Sequence, residues 1–521
     1  MSDAKSVLAE LKAAGVSVNS LCADSRRVSA GDVFVALKGA QVDGRDYLAQ
    51  AIKNGAVAVI YESGKTPVGI GTESRLGKAD PLRGREAVLH EPPTSPPLVT
   101  ASNIASFIGE LADEVYGHPS QKLWLAGVTG TNGKTSVSQW IAQALNRLEE
   151  RCAVIGTLGN GFPDALMESP NTTPDAITTQ ATLAGFVNQK AQACAMEVSS
   201  IGLHQHRVDG VDFKVAILTN LSRDHLDYHG DMASYAKAKE ALFLLPGLAA
   251  VVLNLDDYFG RELAAKLHGQ LHTIGYTLNG AIGDEVQCDQ ILVARSLTFR
   301  AAGLALDLDG QHISAPVVGR FNAANILAVI GALLVRGHAL PNIANALTQI
   351  VAPPGRMQSI GGVGEPLVVV DYAHTPDALE KALSVLRETA DSRAGKLHCV
   401  FGCGGARDAG KRPQMGAVAE TFADRVVVTS DNPRNEDPEA IISDILKGMH
   451  GRPQVEPDRG LAITATISAA SSQDVVLLAG KGHEPYQEIN GVRLPFSDLQ
   501  TAQLALATRR QGGGIAVEQR A

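Results

Sequence analysis

Val-Thr-Gly-Thr-Asn-Gly-Lys-Thr, residues 128–135, is a glycine-containing stretch between two segments of regular pattern. The apolar residues 123–126 before it predict a buried strand, and residues 136–148 after it carry apolar side chains at helical spacing. A strand, a glycine loop and a helix in this order present main-chain N–H groups and a helix N-terminus to an anion. Lys134 would reach the terminal phosphates, and the Thr135 hydroxyl would bind Mg²⁺. The stretch therefore predicts an α/β fold that handles a nucleoside triphosphate.

The spacing of this loop differs from the common phosphate-binding pattern, which places a glycine five residues before the glycine of the Gly-Lys pair. Val128 stands at that position, and the nearby glycines are Gly127 and Gly130. The alternative interpretation is a glycine-rich turn that happens to contain a lysine. The strand and helix patterns on either side favour the phosphate site, because the mechanism requires both.

The composition is ordinary for a globular α/β protein. The chain has 521 residues, of which 45% are hydrophobic and 19% charged, and its formal net charge is −9. This length favours about three domains, and the acidic balance offers no basic field for nucleic acid. The longest apolar run is too short to cross a bilayer, and residues 1–15 lack a signal-peptide core, so we expect a cytoplasmic protein. The six cysteines form no Cys-x-x-Cys pair and are expected to be reduced.

Strand-like and helical segments alternate along most of the chain, which predicts parallel sheets with ligand groups at the strand ends. A segment at 63–97 is rich in Gly, Pro, Arg and Glu and is predicted to be a long surface loop. Around 272–315 the pattern becomes shorter and more β-like, and we expect an antiparallel edge there. Paired prolines at 353–354 indicate a linker, and the tail after Arg509 is expected to fray. The expected domains are residues 1–120, 121–352 and 353–521.

Polar side chains crowd residues 197–240, where strands are predicted to end. Glu197 and His225 are each expected to end a separate strand near the phosphate loop, and four histidines occur within residues 204–229. The histidines raise the alternative of a zinc site, but no cysteine or carboxylate has the matching spacing. Groups of this kind near a phosphate loop fit Mg²⁺ better. Lys237 and Lys239 on the next predicted helix would by default be solvated.

Six motifs follow one another in the order Thr129-Gly-Thr-Asn-Gly-Lys-Thr135, Glu197-Val-Ser-Ser200, Thr219-Asn-Leu-Ser-Arg-Asp-His225, Asn322-Ala-Ala-Asn325, Pro354-Gly-Arg-Met357 and Asp371-Tyr-Ala-His-Thr-Pro376. With these motifs the chain resembles the Mur ligases, the ATP-dependent peptide-bond-forming enzymes of bacterial cell-wall precursor synthesis. The compressed phosphate loop is the form that this family uses. The resemblance implies an N-terminal α/β UDP-binding domain, a central P-loop-type parallel-sheet ATPase domain and a C-terminal Rossmann-like domain.

Within this family, three further motifs resemble the branch that acts on UDP-N-acetylmuramoyl-L-alanyl-D-glutamate. They are Asp24-Ser-Arg26, Asn171-Thr-Thr-Pro174 and Gln205-x-Arg207. The resemblance implies that the uridine end contacts Ala23, Ser25, Ala40, Gln41 and Val42. It likewise implies that the muramoyl dipeptide contacts Asn171, Thr172, Thr173, Ser199, Gln205 and Arg207. Each of these residues would otherwise be an ordinary turn or cap residue.

The resemblance also implies an ATP site and a magnesium site. The expected ATP contacts are Gly130, Thr131, Asn132, Gly133, Lys134, Thr135, Ser136, Asn254, Asn322, Asn325, Arg356, Asp371 and His374. Mg²⁺, expected as two ions, would be held by Thr135, Glu197, His225 and a carbamylated Lys239. Carbamylation replaces the lysine cation with an anion that can bind a metal ion. The expected catalytic residues are Lys134, Lys239, His225 and Glu197.

The amino acid that is added is predicted from Asp431-Asn432-Pro433-Arg434, which follows a predicted strand at 426–429. Pro433 stiffens the turn, and a guanidinium group at Arg434 can bind a carboxylate through two parallel bonds. meso-Diaminopimelate has a distal carboxylate that lysine lacks, so Arg434 would favour it and repel the lysine ammonium. Mur ligases that add diaminopimelate share this tetrapeptide. The same resemblance places Arg407, Gly480 and Glu484 at the distal end of the amino acid.

Two other interpretations stay open at the level of sequence. One is a sister ligase that adds lysine at this step or glutamate to a folate, although folate ligases lack Asp24-Ser-Arg26 and Asp431-Asn-Pro-Arg434. The other is a P-loop regulatory switch, which explains Lys134 but leaves the third domain without a role. We expect small-molecule substrates only, namely the UDP-muramoyl dipeptide, meso-diaminopimelate and ATP. We expect no nucleic acid, no membrane insertion and a monomeric protein.

Overall fold

A computed structural model describes residues 3–39, 42–63, 96–280, 286–300 and 303–518. The fold is α/β, as the alternating sequence pattern predicts, and most neighbouring strands are parallel. Within the described residues, no helix is both long enough and apolar enough to cross a membrane. The predicted loop at 63–97 falls almost wholly outside the described residues, as do Ala40 and Gln41.

The N-terminal region is a four-stranded sheet in the order β1-β2-β3-β4, with parallel neighbours. Helix α1 begins after Asp3, whose carboxylate accepts a hydrogen bond from the Ser6 amide while the Ser6 hydroxyl caps Asp3 in return. Val33 and Val35 of β2 pack with Leu11 of α1 in one buried cluster. The elements are α1 Ala4–Ala13, β1 Leu21–Cys22, β2 Val33–Ala36, α2 Leu48–Lys53, β3 Ala58–Glu62, β4 Leu98–Ala101 and α3 Ile108–Val115.

The central region contains the largest sheet, whose strands follow the order β13-β12-β11-β10-β5-β9-β6-β7-β8. Its elements are β5 Trp124–Thr129, α4 Lys134–Arg147, β6 Cys152–Gly156, β7 Gly159–Phe162, β8 Ala165–Met167, α5 Ala176–Asn188, β9 Ala193–Glu197, α6 Ser200–His204, β10 Val215–Leu218, α7 Leu226–His229, α8 Met232–Glu240, β11 Ala250–Asn254, α9 Tyr258–Leu267, β12 His272–Thr277, β13 Gln290–Val293, β14 Arg295–Arg300, β15 Gly303–Leu308, β16 Gln311–Ala315, α10 Arg320–Arg336 and α11 Leu340–Leu347. Strands β5 and β9 are fully buried, as expected for parallel strands covered on both faces.

The C-terminal region is a six-stranded sheet in the order β17-β18-β22-β19-β20-β21, in which β17 is antiparallel to its neighbour. Alternate residues of β18 pack into different clusters: Val369 with α12 to α14, and Val368 with α15 and α16. The elements are β17 Gln358–Gly361, β18 Leu367–Asp371, α12 Pro376–Ser392, β19 Leu397–Phe401, α13 Lys411–Phe422, β20 Arg425–Val428, α14 Pro438–Leu446, β21 Gln454–Val455, α15 Arg459–Ala469, β22 Val475–Ala479, β23 Tyr486–Ile489, β24 Val492–Pro495 and α16 Asp498–Glu518. This arrangement agrees with the Rossmann-like prediction.

Of two expectations about the fold, the antiparallel edge is correct only in that antiparallel strands are present, and the frayed tail is wrong. Strands β14, β15 and β16 form a separate antiparallel sheet, whereas the large sheet ends at β13, which is parallel to β12. The hairpin between β15 and β16 turns at Asp309 and Gly310, both with positive φ, which is the geometry of a tight two-residue connection. The tail does not fray at Arg509, because α16 continues to Glu518 and Arg510 binds the Glu365 carboxylate at 2.7 Å.

Main-chain proximity divides the chain into two compact units. The first unit comprises residues 1–131, 150–217 and 221–251, and the second comprises residues 132–149, 218–220 and 252–521. The phosphate loop is divided between Thr131 and Asn132. The boundaries expected near residues 120 and 352 stay predictions.

Candidate active site

The phosphate loop connects the end of β5 at Thr129 to the start of α4 at Lys134. Gly130 and Gly133 have φ values of 144° and 88°, in a region that side-chain-bearing residues rarely adopt. Gly133 is the N-cap residue of α4 and has no side chain with which to cap the helix. This start of a helix behind a glycine loop is the anion-binding geometry that the sequence predicts.

In the second unit, polar side chains fix the second half of the loop. The Asn132 amide donates to Asn220 Oδ1 at 3.0 Å, and the Thr219 hydroxyl donates to the Asn132 carbonyl oxygen at 2.5 Å. Asn254 Nδ2 in turn donates to the Thr219 carbonyl oxygen at 2.7 Å. A Cβ atom on Gly133 would lie 2.5 Å from Asn325 Oδ1, so only glycine lets Asn325 approach this closely. Sequence reasoning gave Thr219 and Asn220 no role, although they follow directly on strand β10.

Asn325 is held by its neighbour on helix α10. Asn325 Nδ2 donates to Asn322 Oδ1 at 3.1 Å, and Asn322 Nδ2 donates to the Val318 carbonyl oxygen at 2.8 Å. Both asparagines are buried. The two predicted nucleotide contacts on this helix are thus brought together in one hydrogen-bonded pair.

In the first unit, Lys239 of α8 contacts the first half of the loop. Its Nζ atom donates to the Gly130 carbonyl oxygen at 2.9 Å and lies 4.5 Å from the centre of the Tyr235 ring. The Tyr235 hydroxyl lies 3.2 Å from Thr131 Oγ1. Lys239 is 1% exposed, so its default interpretation as a solvated lysine is wrong, whereas Lys237 is exposed as expected.

Glu197 and His225 have different surroundings in the first unit. Glu197 is buried at the end of β9, and its two carboxylate oxygens accept the Thr157 amide at 2.9 Å and the Thr157 hydroxyl at 3.0 Å. His225 does not end a strand. It lies seven residues beyond Leu218 in a left-handed conformation, φ 52°, and its side chain is 47% exposed beside Asp224.

The donor groups fit magnesium in part. Glu197 offers carboxylate oxygens, and Thr135 offers a hydroxyl, both of which suit a hard cation. Lys239 as an ammonium group repels a cation and becomes a ligand only as the carbamate. Among the described side chains, no three His, Cys, Asp or Glu residues are grouped closely enough to hold a metal ion.

Five of the six residues expected at the muramoyl dipeptide, all except Asn171, form one connected network in the first unit. Thr173 Oγ1 donates to the Glu197 carbonyl oxygen at 2.9 Å, and Arg207 NH1 donates to the Thr173 carbonyl oxygen at 2.7 Å. Gln205 Oε1 accepts Arg207 NH2 at 2.7 Å. Ser199 joins through a 3.0 Å bond from its amide to Thr173 Oγ1. The structure therefore brings these predicted side chains together.

Two neighbouring residues extend the network. Thr172 Oγ1 lies 3.0 Å from the Thr157 hydroxyl, which links it to Glu197. Gln205 Nε2 donates to the Tyr228 hydroxyl at 3.0 Å. Tyr228 was missed, although the Asp-Tyr-His sequence around it follows the quoted family motif. Asn171 is exposed, and its carbonyl oxygen accepts the Ser169 hydroxyl at 2.9 Å.

The uridine contacts are described only in part. Ser25 is 6% exposed, and its hydroxyl donates to Gln50 Oε1 at 2.9 Å. Ala23 and Val42 are exposed, and Ala40 and Gln41 lie outside the described residues.

Asp371 lies at the end of β18 and supports the neighbouring backbone. Its carboxylate accepts the Met357 amide at 2.8 Å and the Ala373 amide at 2.9 Å. Burial raises the pKa of Asp371, and these amides and the Arg356 guanidinium oppose that change. His374 Nδ1 lies 2.8 Å from the Tyr372 carbonyl oxygen. Asp371 thus organises the turn that carries Arg356.

The Asp-Asn-Pro-Arg tetrapeptide follows β20, as predicted. Asn432 Nδ2 donates to Glu484 Oε2 at 2.7 Å, which joins two of the predicted amino-acid contacts. Arg434 NH1 donates to the Gly405 carbonyl oxygen at 2.7 Å, and its Nε atom lies 3.7 Å from Glu488 Oε2. Arg434 has a left-handed backbone, φ 53°, held by its main-chain bonds to Glu488 and Asn490.

The other predicted contacts in this region differ in exposure. Arg407 is exposed on the loop after β19. A Cβ atom on Gly405 would lie 2.0 Å from the Pro433 carbonyl oxygen, so a glycine at this position allows the two loops to approach each other. Asp431 is 7% exposed, and burial raises the pKa of its carboxyl group against the charges of Arg459 and Lys481. Gly480, with φ 115°, lies beside Asp431.

Three family descriptions match successive parts of the chain. The description "Mur ligase family, catalytic domain" matches residues 17–76, "Mur ligase middle domain" matches residues 128–333, and "Mur ligase, glutamate ligase domain" matches residues 355–482. The matches follow the chain order of the three regions described above.

The chain is also similar to curated proteins over nearly its whole length. The UDP-N-acetylmuramoyl-L-alanyl-D-glutamate–2,6-diaminopimelate ligase of Pseudomonas aeruginosa is 49% identical over 496 residues, which are 94% of this chain and 95% of that protein. The protein of the same name from Coxiella burnetii is 44% identical over 499 residues, 95% of this chain and 96% of that protein.

Solved structures extend the similarity to the fold. A structure of a UDP-N-acetylmuramoyl-L-alanyl-D-glutamate–2,6-diaminopimelate ligase has a TM-score of 0.68 and 35% identity, with 95% of each chain covered. A UDP-N-acetylmuramoylalanyl-D-glutamyl-2,6-diaminopimelate–D-alanyl-D-alanyl ligase from Acinetobacter baumannii has a TM-score of 0.57 at 18% identity, covers 95% of this chain and 93% of that one, and shows the fold alone. We conclude from the phosphate loop, the three matched regions and these identities that the chain belongs to the Mur ligase family.

Proposed function

We propose that the protein is the ATP-dependent ligase that joins meso-2,6-diaminopimelate to UDP-N-acetylmuramoyl-L-alanyl-D-glutamate. The observation that carries the proposal is the 49% identity over 94% of the chain to a relative with that name. The Asn432–Glu484 pair beside Arg434 supports the choice of amino acid, since these residues offer both charges that a distal amino-acid centre requires. We place the reaction in the cytoplasmic synthesis of peptidoglycan precursors, carried out by a monomer.

The reaction has two chemical steps. The side-chain carboxylate of D-glutamate attacks the γ-phosphorus of ATP, and an acyl phosphate and ADP form. The amine of diaminopimelate then attacks the acyl carbon, and inorganic phosphate leaves from a tetrahedral intermediate while the amine loses a proton. Phosphoryl transfer depends mostly on positioning and charge neutralisation, which we assign to Lys134 and to the main chain of residues 130–135.

Magnesium supplies further charge neutralisation at the phosphates when it is bound. We assign Thr135, Glu197, His225 and carbamylated Lys239 to two such ions. Glu197 is already held by Thr157, so its carboxylate is preorganised without movement. Gly130 and Tyr235 contact the Nζ atom of Lys239, which is the atom that would carry the carbamate.

Arg434 is the proposed specificity residue. Its guanidinium already bonds to the Gly405 carbonyl oxygen, which restricts the side chain before substrate binds. Glu488 Oε2 now lies 3.7 Å from Arg434 Nε. A bound carboxylate would take its place and accept two charge-assisted hydrogen bonds from the guanidinium. The distal ammonium would pair with Glu484.

The experiment is a phosphate-release assay with ATP, the UDP-muramoyl dipeptide and a panel of amino acids, with product mass measured in parallel. We expect phosphate release only when dipeptide and meso-diaminopimelate are both present, with one new amide per phosphate. Phosphate release without a new amide would support the regulatory-switch interpretation. Equal product with glutamate and a folate in place of the dipeptide would contradict the assignment.

A further inference from the structure

Lys481 is a buried lysine in the amino-acid region that the predicted site does not include. It lies between Gly480 and Gly482, with φ values of 115° and 54°, and its exposed fraction is 0%. Its Nζ atom donates to Asn432 Oδ1 at 2.9 Å and lies 3.4 Å from Glu484 Oε2 and 3.6 Å from Asp431 Oδ1. A single ammonium group therefore contacts three residues that we assign to amino-acid binding.

The charges around Lys481 do not balance. A buried lysine needs a counter-charge, and here two carboxylates, Asp431 and Glu484, share one ammonium group. Arg459 also attracts the Asp431 carboxylate, but Asp498 binds Arg459 through bonds of 2.7 and 2.6 Å, so these two cations face three carboxylates. One negative charge is left over, and the Glu484 side chain, 19% exposed, is the more accessible of the two carboxylates. The charge of the cluster would therefore be balanced by one more cation.

Lys481 also determines which way the Asn432 amide points. Lys481 Nζ and the Glu488 amide both donate to Asn432 Oδ1, at 2.9 and 3.0 Å. A lysine ammonium can only donate, so a reversed amide would place its NH₂ group against two donors. Asn432 Nδ2 is thereby directed to Glu484 Oε2, at 2.7 Å.

We propose that Lys481 is a positioning residue for the distal ammonium of the amino-acid substrate. It fixes the Asn432 amide, and both groups hold Oε2 of Glu484, so that the second carboxylate oxygen, Oε1, is kept in place for the substrate cation. This inference rests on the proposed function. It adds a residue that acts through Glu484 and touches no reacting atom.

The test compares two substrates on two variants. Lys481→Met keeps the length of the side chain but cannot donate, and Lys447→Met, an exposed lysine on the same region, is the matched control. The substrates are meso-diaminopimelate and 2-aminopimelate, which retains the distal carboxylate but lacks the distal ammonium. Wild-type turnover of meso-diaminopimelate tests the proposed function separately from the role of Lys481.

We expect Lys481→Met to raise the KM for meso-diaminopimelate roughly 10- to 100-fold, the cost of losing bonds to a charged group. The KM values for ATP, for the UDP-muramoyl dipeptide and for 2-aminopimelate should stay within about twofold, and the control variant should match the wild type. Lys481→Gln, which retains one donor, should recover part of the loss. An equal rise in KM for both amino acids, no change, or failure of both Lys481 variants to fold would overturn the proposal.

Discussion

The Nζ atom of Lys239 lies 2.9 Å from the carbonyl oxygen of Gly130, so a buried ammonium group on helix α8 contacts the phosphate loop directly. The Tyr235 ring packs against the same group at 4.5 Å. This contact places the lysine that the family resemblance expects to be carbamylated beside the loop that is proposed to bind ATP. The position explains why a change of charge at Nζ would alter the electrostatics of the phosphate site.

Lys239→Ala should lose ligase activity and recover part of it with formate or acetate, because a small carboxylate can occupy the place of the carbamate. Lys237→Ala, two residues away and exposed, is the matched control and should be fully active. Activity is measured as phosphate release over a range of added carboxylate. A fully active Lys239→Ala, or equal stimulation of the wild type and the variant, would argue against carbamylation.

Lys134→Ala should abolish ATP turnover without unfolding the protein, because it removes one cation from the start of α4. Loss of one preorganised electrostatic contact of this kind costs on the order of 100- to 1,000-fold in rate. Lys122→Ala, an exposed lysine shortly before β5, serves as the control. The rate of ATP hydrolysis is measured together with the melting temperature. Near-normal turnover with a normal melting temperature would remove the phosphate-loop assignment.

The segment between β3 and β4 should be dispensable for catalysis, although a connection of sufficient length between the two strands must remain. These strands are parallel neighbours, so the chain must return along the sheet, which takes about a dozen residues. Replacing residues 64–95 by a glycine-serine linker of about 12 residues should leave the KM for the UDP substrate unchanged. A raised KM in a protein with an unchanged melting temperature would show that the segment binds substrate.

Asp474 should make stability depend on pH below neutrality. Burial alone would raise its pKa, but amide donors from Lys396 and Ser471 and a 3.0 Å contact with His398 outweigh it and lower the pKa from 3.8 to about 2. A carboxylate with a lowered folded-state pKa stabilises the protein above pH 3.8, and this contribution is lost as the pH falls towards 2.

Asp474→Asn should therefore lower the free energy of unfolding by about 2 kcal/mol at pH 7, and the difference from the wild type should shrink below pH 4. The melting temperatures of both proteins are compared between pH 7 and pH 3. Asp377→Asn, whose side chain is 75% exposed, is the control. A difference that stays constant down to pH 3 would contradict the lowered pKa.

The backbone of the site was predictable because strand ends depend on local pattern. The sequence pattern predicts strands at residues 123–126 and 426–429, and the structure has β5 at Trp124–Thr129 and β20 at Arg425–Val428. In parallel sheets, ligand groups follow the strands, so the positions of Glu197 and Asp431 at strand ends could be predicted from the pattern, whereas their roles stay predictions. The start of α4 was placed two residues late, since a glycine loop hides the first turn of the helix.

The features that local pattern could not show depend on contacts between residues distant in the sequence. Lys237 and Lys239 occupy the same short polar helix, and the pattern does not show that Lys239 is the one that is buried against Tyr235 and Gly130. Lys481 lies between two glycines and is part of no periodic pattern. Its hydrogen-bond partner Asn432 is also distant along the chain, so the sequence does not show that the two residues meet. The left-handed backbone of Arg434 likewise depends on the β23–β24 hairpin.

The most direct test of the proposed specificity is a competition between equal concentrations of meso-diaminopimelate and L-lysine, with products separated by mass, for the wild type and for Arg434→Ala. We predict that the wild type incorporates diaminopimelate almost exclusively. We also predict that Arg434→Ala loses most of this incorporation, because the distal carboxylate has lost its guanidinium partner. Equal incorporation of lysine by the wild type, or unchanged incorporation of diaminopimelate by the variant, would contradict the account.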